Sequence, residues 1–187
     1  VSDALAQTGP TAQAVESLAA EIEGSAGRSS VGLTLEATSD KWLPALDLFS
    51  EVLLEPGFDR EEIERERRET LAAIDRREDH LAQLCFQLFA QTEFRQHPYR
   101  LPLIGLRPSV EHFDAKLLRA HHARLVQSPN LVLSISGDVD PDVAAEAVCS
   151  RLGGLPAGPF EIPAPPPEPA SHEIREATWS KDRAQAH

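Results

Sequence analysis

Three glutamates, Glu62, Glu66 and Glu69, stand four and three residues apart in a segment whose apolar residues recur at helical spacing. On a helix that spacing lines them along one side, where they can offer carboxylates to a cleft. The next position on that face, one heptad beyond Glu66, is Ala73, whose methyl group has no donor atom. A second reading of the same residues is a solvated face, with Arg65, Arg68 and Glu69 forming i,i+3 and i,i+4 pairs worth about 0.2–0.5 kcal/mol each.

The remaining polar groups point to less chemistry. His121 and His122 are adjacent, so on a helix they diverge by about 100° and do not readily share one metal. His97, in the turn HPYR with Tyr99, reads as packing at the exit of the long helix. Asp138 and Asp140 in GDVDP match no calcium-loop spacing; a strand end and a helix cap account for both. Asp79 and His80 follow Ala73 by one to two turns and are not read as ligands. Cys85 and Cys149 each sit among apolar residues, fit no zinc or redox motif, and are expected to be buried thiols. No constellation supports a Ser or Cys nucleophile.

The element that must position the glutamates is Asp59–Phe94, the longest stretch without Gly or Pro. Ile63, Leu71, Ile74, Leu81, Leu84, Cys85, Leu88 and Phe89 mark one expected buried stripe. Asp59 occupies the N-cap position, with Glu61 and Glu62 in the first turn where carboxylates suit the helix dipole. A helix of roughly 30 residues would be about 45 Å long, a length that invites a kink or break.

Around it the chain reads as helix, strand, helix, long helix, helix, strand, helix. A helix is expected over Thr11–Ala20. Val31, Leu33 and Leu35 alternate as a half-buried strand, and Asp40 is expected to cap a helix ending at Pro56-Gly57. Ser109 or Asp114 starts the next helix, NLVLSISGDVD opens a second strand at Asn130, and Asp140-Pro141 starts a helix that stops at Gly153-Gly154. This order predicts an α+β domain in which helices cover one face of a small, mainly antiparallel sheet. We expect that domain over residues 1–157, a Pro-rich linker over 158–172, and the first strand of a second, homologous domain over 173–187.

The totals exclude some classes. Among 187 residues, 30 acids against 18 bases give a formal net charge of -12, which argues against nucleic acid and anionic membranes as partners. No run of about 18 apolar residues exists, so no membrane span is expected. The chain contains no methionine and no visible signal peptide. We therefore expect a piece of a longer protein and leave its compartment, bacterial periplasm or cytoplasm, undecided.

The segments FDREEIERERRETLAAI, LPALDLFSEVLLEP, HPYRLPLIG and NLVLSISGDVDP, in their order and spacing, resemble the insulinase-like M16 metallopeptidases. That family includes mitochondrial processing peptidases and many bacterial zinc proteases. The resemblance covers nearly the whole chain and implies a metallohydrolase-like half-domain. It also implies a zinc held by an inverted HxxEH motif and a distal glutamate, with the fourth position open for the attacking water. The distal helix of the family carries two glutamates seven apart: the first matches Glu66, and the second, the zinc ligand, falls on Ala73. No HxxEH is present, and Ser2 and Asp3 stand about where its Glu-His would be.

The resemblance therefore implies a member with no catalytic residue and no metal ligand in this stretch, and with Glu66 as a cleft-lining relic. Zinc would be the family's cofactor and none would belong to this fragment. Its partners would be a peptide substrate and a homo- or heterodimeric M16 subunit. Two alternatives stay open: an active zinc metalloendopeptidase with its HxxEH upstream, and a non-enzymatic scaffold or binding subunit.

Overall fold

The structure, a computed structural model, describes residues 17–158, 160–170 and 173–180. The chain divides into two compact units, one from Val1–Glu66 and Phe113–Glu161, the other from Arg67–His112 and Ile162–His187.

In the first unit, strands β1 (Glu21–Ala26) and β2 (Val31–Glu36) form an antiparallel hairpin. Ile22 pairs with Leu35 and Gly24 with Leu33, so one face carries the apolar residues and the other carries acids and Thr34. A one-residue slip would turn Ile22 and Leu35 to solvent, which fixes the register. The turn is closed by the Gly27 N–H donating to the Ser30 carbonyl at 2.8 Å.

Helix α1 (Trp42–Leu54) lays Ala45, Leu46, Phe49 and Val52 on one buried face. Ile22, Leu46, Phe49, Val52 and Ala147 form a single core cluster, with Leu33, Leu35 and Val148 packed against it. Ser50 is also buried there, and its hydroxyl donates to the Leu46 carbonyl at 2.7 Å, so burial leaves it satisfied. The expected architecture of helices over a small antiparallel sheet is present.

Ala147 comes from the last helix of the unit, Pro141–Leu152, which starts as its sequence predicts. Asp140 Oδ1 accepts from the N–H groups of Asp142 and Val143 at 2.9 and 3.1 Å, and Pro141 fills the first turn. Asp140→Ala should lower stability by about 0.5–2 kcal/mol in chemical denaturation. An equal loss from Asp138→Ala would mean the cap is not the cause.

In the second unit the chain runs through the C-terminal part of α2 (Arg60–Glu78), then α3 (Leu81–Glu93) and a 3₁₀ turn at Pro98–Arg100, to the short α4 (Arg107–Glu111). Leu84 and Val110 are its buried apolar residues, and Arg107 pairs with Asp75 of α2. Back in the first unit, α5 (Ala115–Leu125) is capped by Asp114, whose Oδ1 accepts from the Leu117 N–H at 2.7 Å. The helix capped by Asp140 is α6.

The long helix breaks, as its length invites, at Asp79-His80, where the two N–H groups turn back to the Arg76 and Arg77 carbonyls. Several other expectations are corrected. The apolar stripe is accordingly not one buried seam: only Leu84 is buried, Ile63, Leu71, Ile74, Leu81 and Leu88 are half-buried, and Cys85 and Phe89 are exposed. Cys149 is exposed as well, so neither cysteine is a buried thiol. Asp40 does not cap α1; the cap position is Lys41, without a side-chain bond, and Asp40 instead accepts from the Thr38 side chain, which holds its carboxyl below the usual range.

β1 itself was not expected, because EIEGSA holds a single strong strand former and its pairing with β2 decides the matter. Among the described residues, the stretch beginning Leu131 has no ladder partner, and Val132 is 97% exposed. Of the stretch expected to open a second domain, residues 173–180 form no ladder with other described residues, and 181–187 lie outside the described residues. Of the helix expected at Thr11–Ala20, residues 11–16 lie outside the described residues, and Ala19 ends the helical path with φ 50°.

Candidate functional site

Helix α2 brings Glu62 and Glu66 to one side, but Arg65 stands between them. Arg65 Nη2 lies 2.8 Å from Glu62 Oε2 and 3.5 Å from Glu66 Oε1. The two glutamate side chains are 20% and 18% exposed, so these contacts are partly shielded from water. Two acids facing one guanidinium are held by it rather than offered freely to a second cation. Glu69 and Arg68 are exposed, and Ala73 is half-buried.

A zinc site needs three or four donors within about 2.0–2.3 Å of one point. Among the described residues, no group of three or more His, Cys, Asp or Glu side chains can hold a metal ion. The donor set around Glu66 and Ala73 therefore does not fit zinc. Ser2 and Asp3 lie outside the described residues.

Two of the histidines, His97 and His122, are occupied structurally. His97 Nδ1 accepts from the Tyr99 N–H at 3.1 Å, and its ring contacts Phe94 and Tyr99, as expected for packing where α3 exits. His122 Nε2 is 2.8 Å from the Leu53 carbonyl oxygen, and its ring meets the edge of Phe58. His121 is exposed. A groove of about 540 Å³ beside α6 is lined by Leu133, Ile135, Val139, Ala144, Val148 and Cys149 among others. Its lining has no acid–base pair.

One arrangement has no sequence signal. The N–H groups of Arg95, Gln96 and His97 all donate to the carboxylate of Glu168, at 2.9, 2.7 and 2.5 Å. Glu168 lies more than 70 residues away in PPPEP, where composition marks only an extended segment.

Among the described residues, no helix is long and apolar enough to cross a membrane. The insulinase (peptidase family M16) domain matches residues 6–107, and the peptidase M16 inactive domain matches residues 112–187. An uncharacterized zinc protease of Mycobacterium leprae is 25% identical over 142 residues, which is 76% of this chain and 32% of that protein. A non-peptidase homolog of Helicobacter pylori is 26% identical over 152 residues, 79% of this chain and 34% of that one. The chain thus spans about a third of the length of these curated relatives. A crystal structure of a peptidase M16 inactive domain from Pseudomonas fluorescens matches with a TM-score of 0.80 and 25% identity, covering 90% of this chain and 43% of that chain. A protease from Helicobacter pylori shares the fold with a TM-score of 0.72 at 20% identity, covering 88% of this chain and 40% of that one.

Proposed function

We propose, from the premise that this chain belongs to the insulinase (M16) peptidase family, that it comes from a member without zinc chemistry of its own. In this reading it helps enclose peptide substrate beside a zinc-bearing M16 subunit. The observation that carries the reading is Ala73, a methyl group on α2 where the resemblance puts the family's distal ligand. Without that ligand, α2 lacks the family's distal donor for a zinc that would polarise a water against a peptide carbonyl. Glu66 persists as a relic on the same face, its carboxylate turned to Arg65.

Two similarities support the reading: the Helicobacter pylori relative is named a non-peptidase homolog, and the Pseudomonas fluorescens structure is described as an inactive domain. The Mycobacterium leprae relative, named a zinc protease, favours the opposite reading, an active enzyme whose HxxEH lies upstream.

Zinc content per chain, measured on the full-length protein after dialysis against a mild chelator, separates the two, with peptide hydrolysis assayed alongside. We expect well under stoichiometric zinc and no cleavage by the protein alone. One tightly held zinc per chain with cleavage would overturn the proposal and move the third ligand away from position 73.

A further inference from the structure

The Pro-rich segment reads as a passive spacer: residues 160–170 have no regular secondary structure and are mostly exposed. Glu168 is different. It is half-buried, and its carboxylate receives three successive backbone N–H groups, those of Arg95, Gln96 and His97, just beyond the end of α3. Successive amides converging on one anion form a nest, a geometry that binds carboxylate or phosphate oxygens. A few residues further on, Arg175 Nη1 donates to the Thr92 and Glu93 carbonyls at 2.9 and 2.7 Å, and so meets carbonyls that the end of α3 leaves without helical partners. The segment thus holds both kinds of free backbone group at the helix exit, its amides through Glu168 and its carbonyls through Arg175.

We infer that Glu168 is a latch that straps the Pro-rich segment onto the exit of α3, with Arg175 as its second anchor. Strapping suits the composition. A proline-rich chain has little conformational freedom to lose, so one well-made contact fixes a long stretch of it. The strap also rigidifies the loop it grips, where His97 caps the 3₁₀ turn and the rings of Phe94, His97 and Tyr99 are packed together.

Charge supports the latch. The amide of His97 first, then those of Arg95 and Gln96 and the Arg175 guanidinium, hold the Glu168 carboxyl below the usual glutamate range. The other charged or titratable groups in the elements around it are Glu93, Arg95, His97, Tyr99 and Arg100, with Glu173 and Glu176 on its own segment. Because the folded value is depressed, the latch is fully present above the ordinary glutamate value. It is lost only as pH falls through the depressed one.

The test is residue-resolved amide exchange on the full chain for wild type, Glu168→Ala and, as a matched change in the same segment, Glu161→Gln. Glu168→Ala should speed exchange at Arg95, Gln96 and His97 by roughly tenfold or more and leave the core of α1 unchanged, which also shows that the variant is folded. Trypsin should then cut after Arg175 faster than in wild type. Unchanged exchange at the three amides would overturn the latch. So would equal acceleration in Glu161→Gln, since the effect would then follow net charge rather than the contact.

Discussion

Phe49→Ala should lower the unfolding free energy by about 3–5 kcal/mol, read as a shift of the denaturation midpoint at unchanged m-value. Phe49 is 4% exposed and lies in the one cluster that joins hairpin, α1 and α6, with Ile22, Leu46, Val52 and Ala147. The size of the effect follows from the size of that cluster. Only nine apolar residues are buried among the described residues, so few side chains stand ready to collapse into the space a ring leaves. The loss therefore combines transfer and cavity contributions, the cavity left largely unfilled. Leu43, on the same helix but 37% exposed, supplies the contrast: Leu43→Ala should cost less than about 1.5 kcal/mol. Comparable losses at 43 and 49 would mean that α1 does not bury the face assigned to it.

How much of this was legible in the sequence depended on whether a signal was local. Asp140 starts a helix where the sequence places it, and Asp114 is the one of the two offered starts, Ser109 or Asp114, that caps α5, because the cap bonds N–H groups two or three residues on. The aromatic packing at His97 was legible for the same reason. Signals set by distant pairing were not. β1 becomes a strand only because β2 lies beside it, and Ile22 alone could not announce that. Asp40 carries a capping side chain, yet its carboxylate bonds to Thr38 and the helix begins one residue later. The Glu face on α2 was correctly placed on one side, but the claim of Arg65 on both Glu62 and Glu66 depends on rotamers that spacing does not encode. Glu168 is the extreme case, a contact between segments whose separation erases any pattern.

The same contrast between periodicity and burial fixes the second large effect. Leu84→Ala should cost about 2–5 kcal/mol, because Leu84 is 8% exposed and is the buried residue of α3. Periodicity alone makes Leu71 and Phe89 its equals, since all three fall on one helical stripe. The break at Asp79-His80 divides that stripe between two helices, and the accessibilities then part: Leu71 is half-buried and Phe89 is 64% exposed. Leu71→Ala should therefore cost about 1–2 kcal/mol, in proportion to the area it removes from water. Phe89→Ala and Glu69→Ala should each stay within about 0.5 kcal/mol. Chemical denaturation of the four variants orders them. Equal losses for Leu71, Leu84 and Phe89 would restore a single continuous buried seam and refute the break in the helix. The predicted ranking would place the core of this unit at α3, leaving α2 to present its polar face.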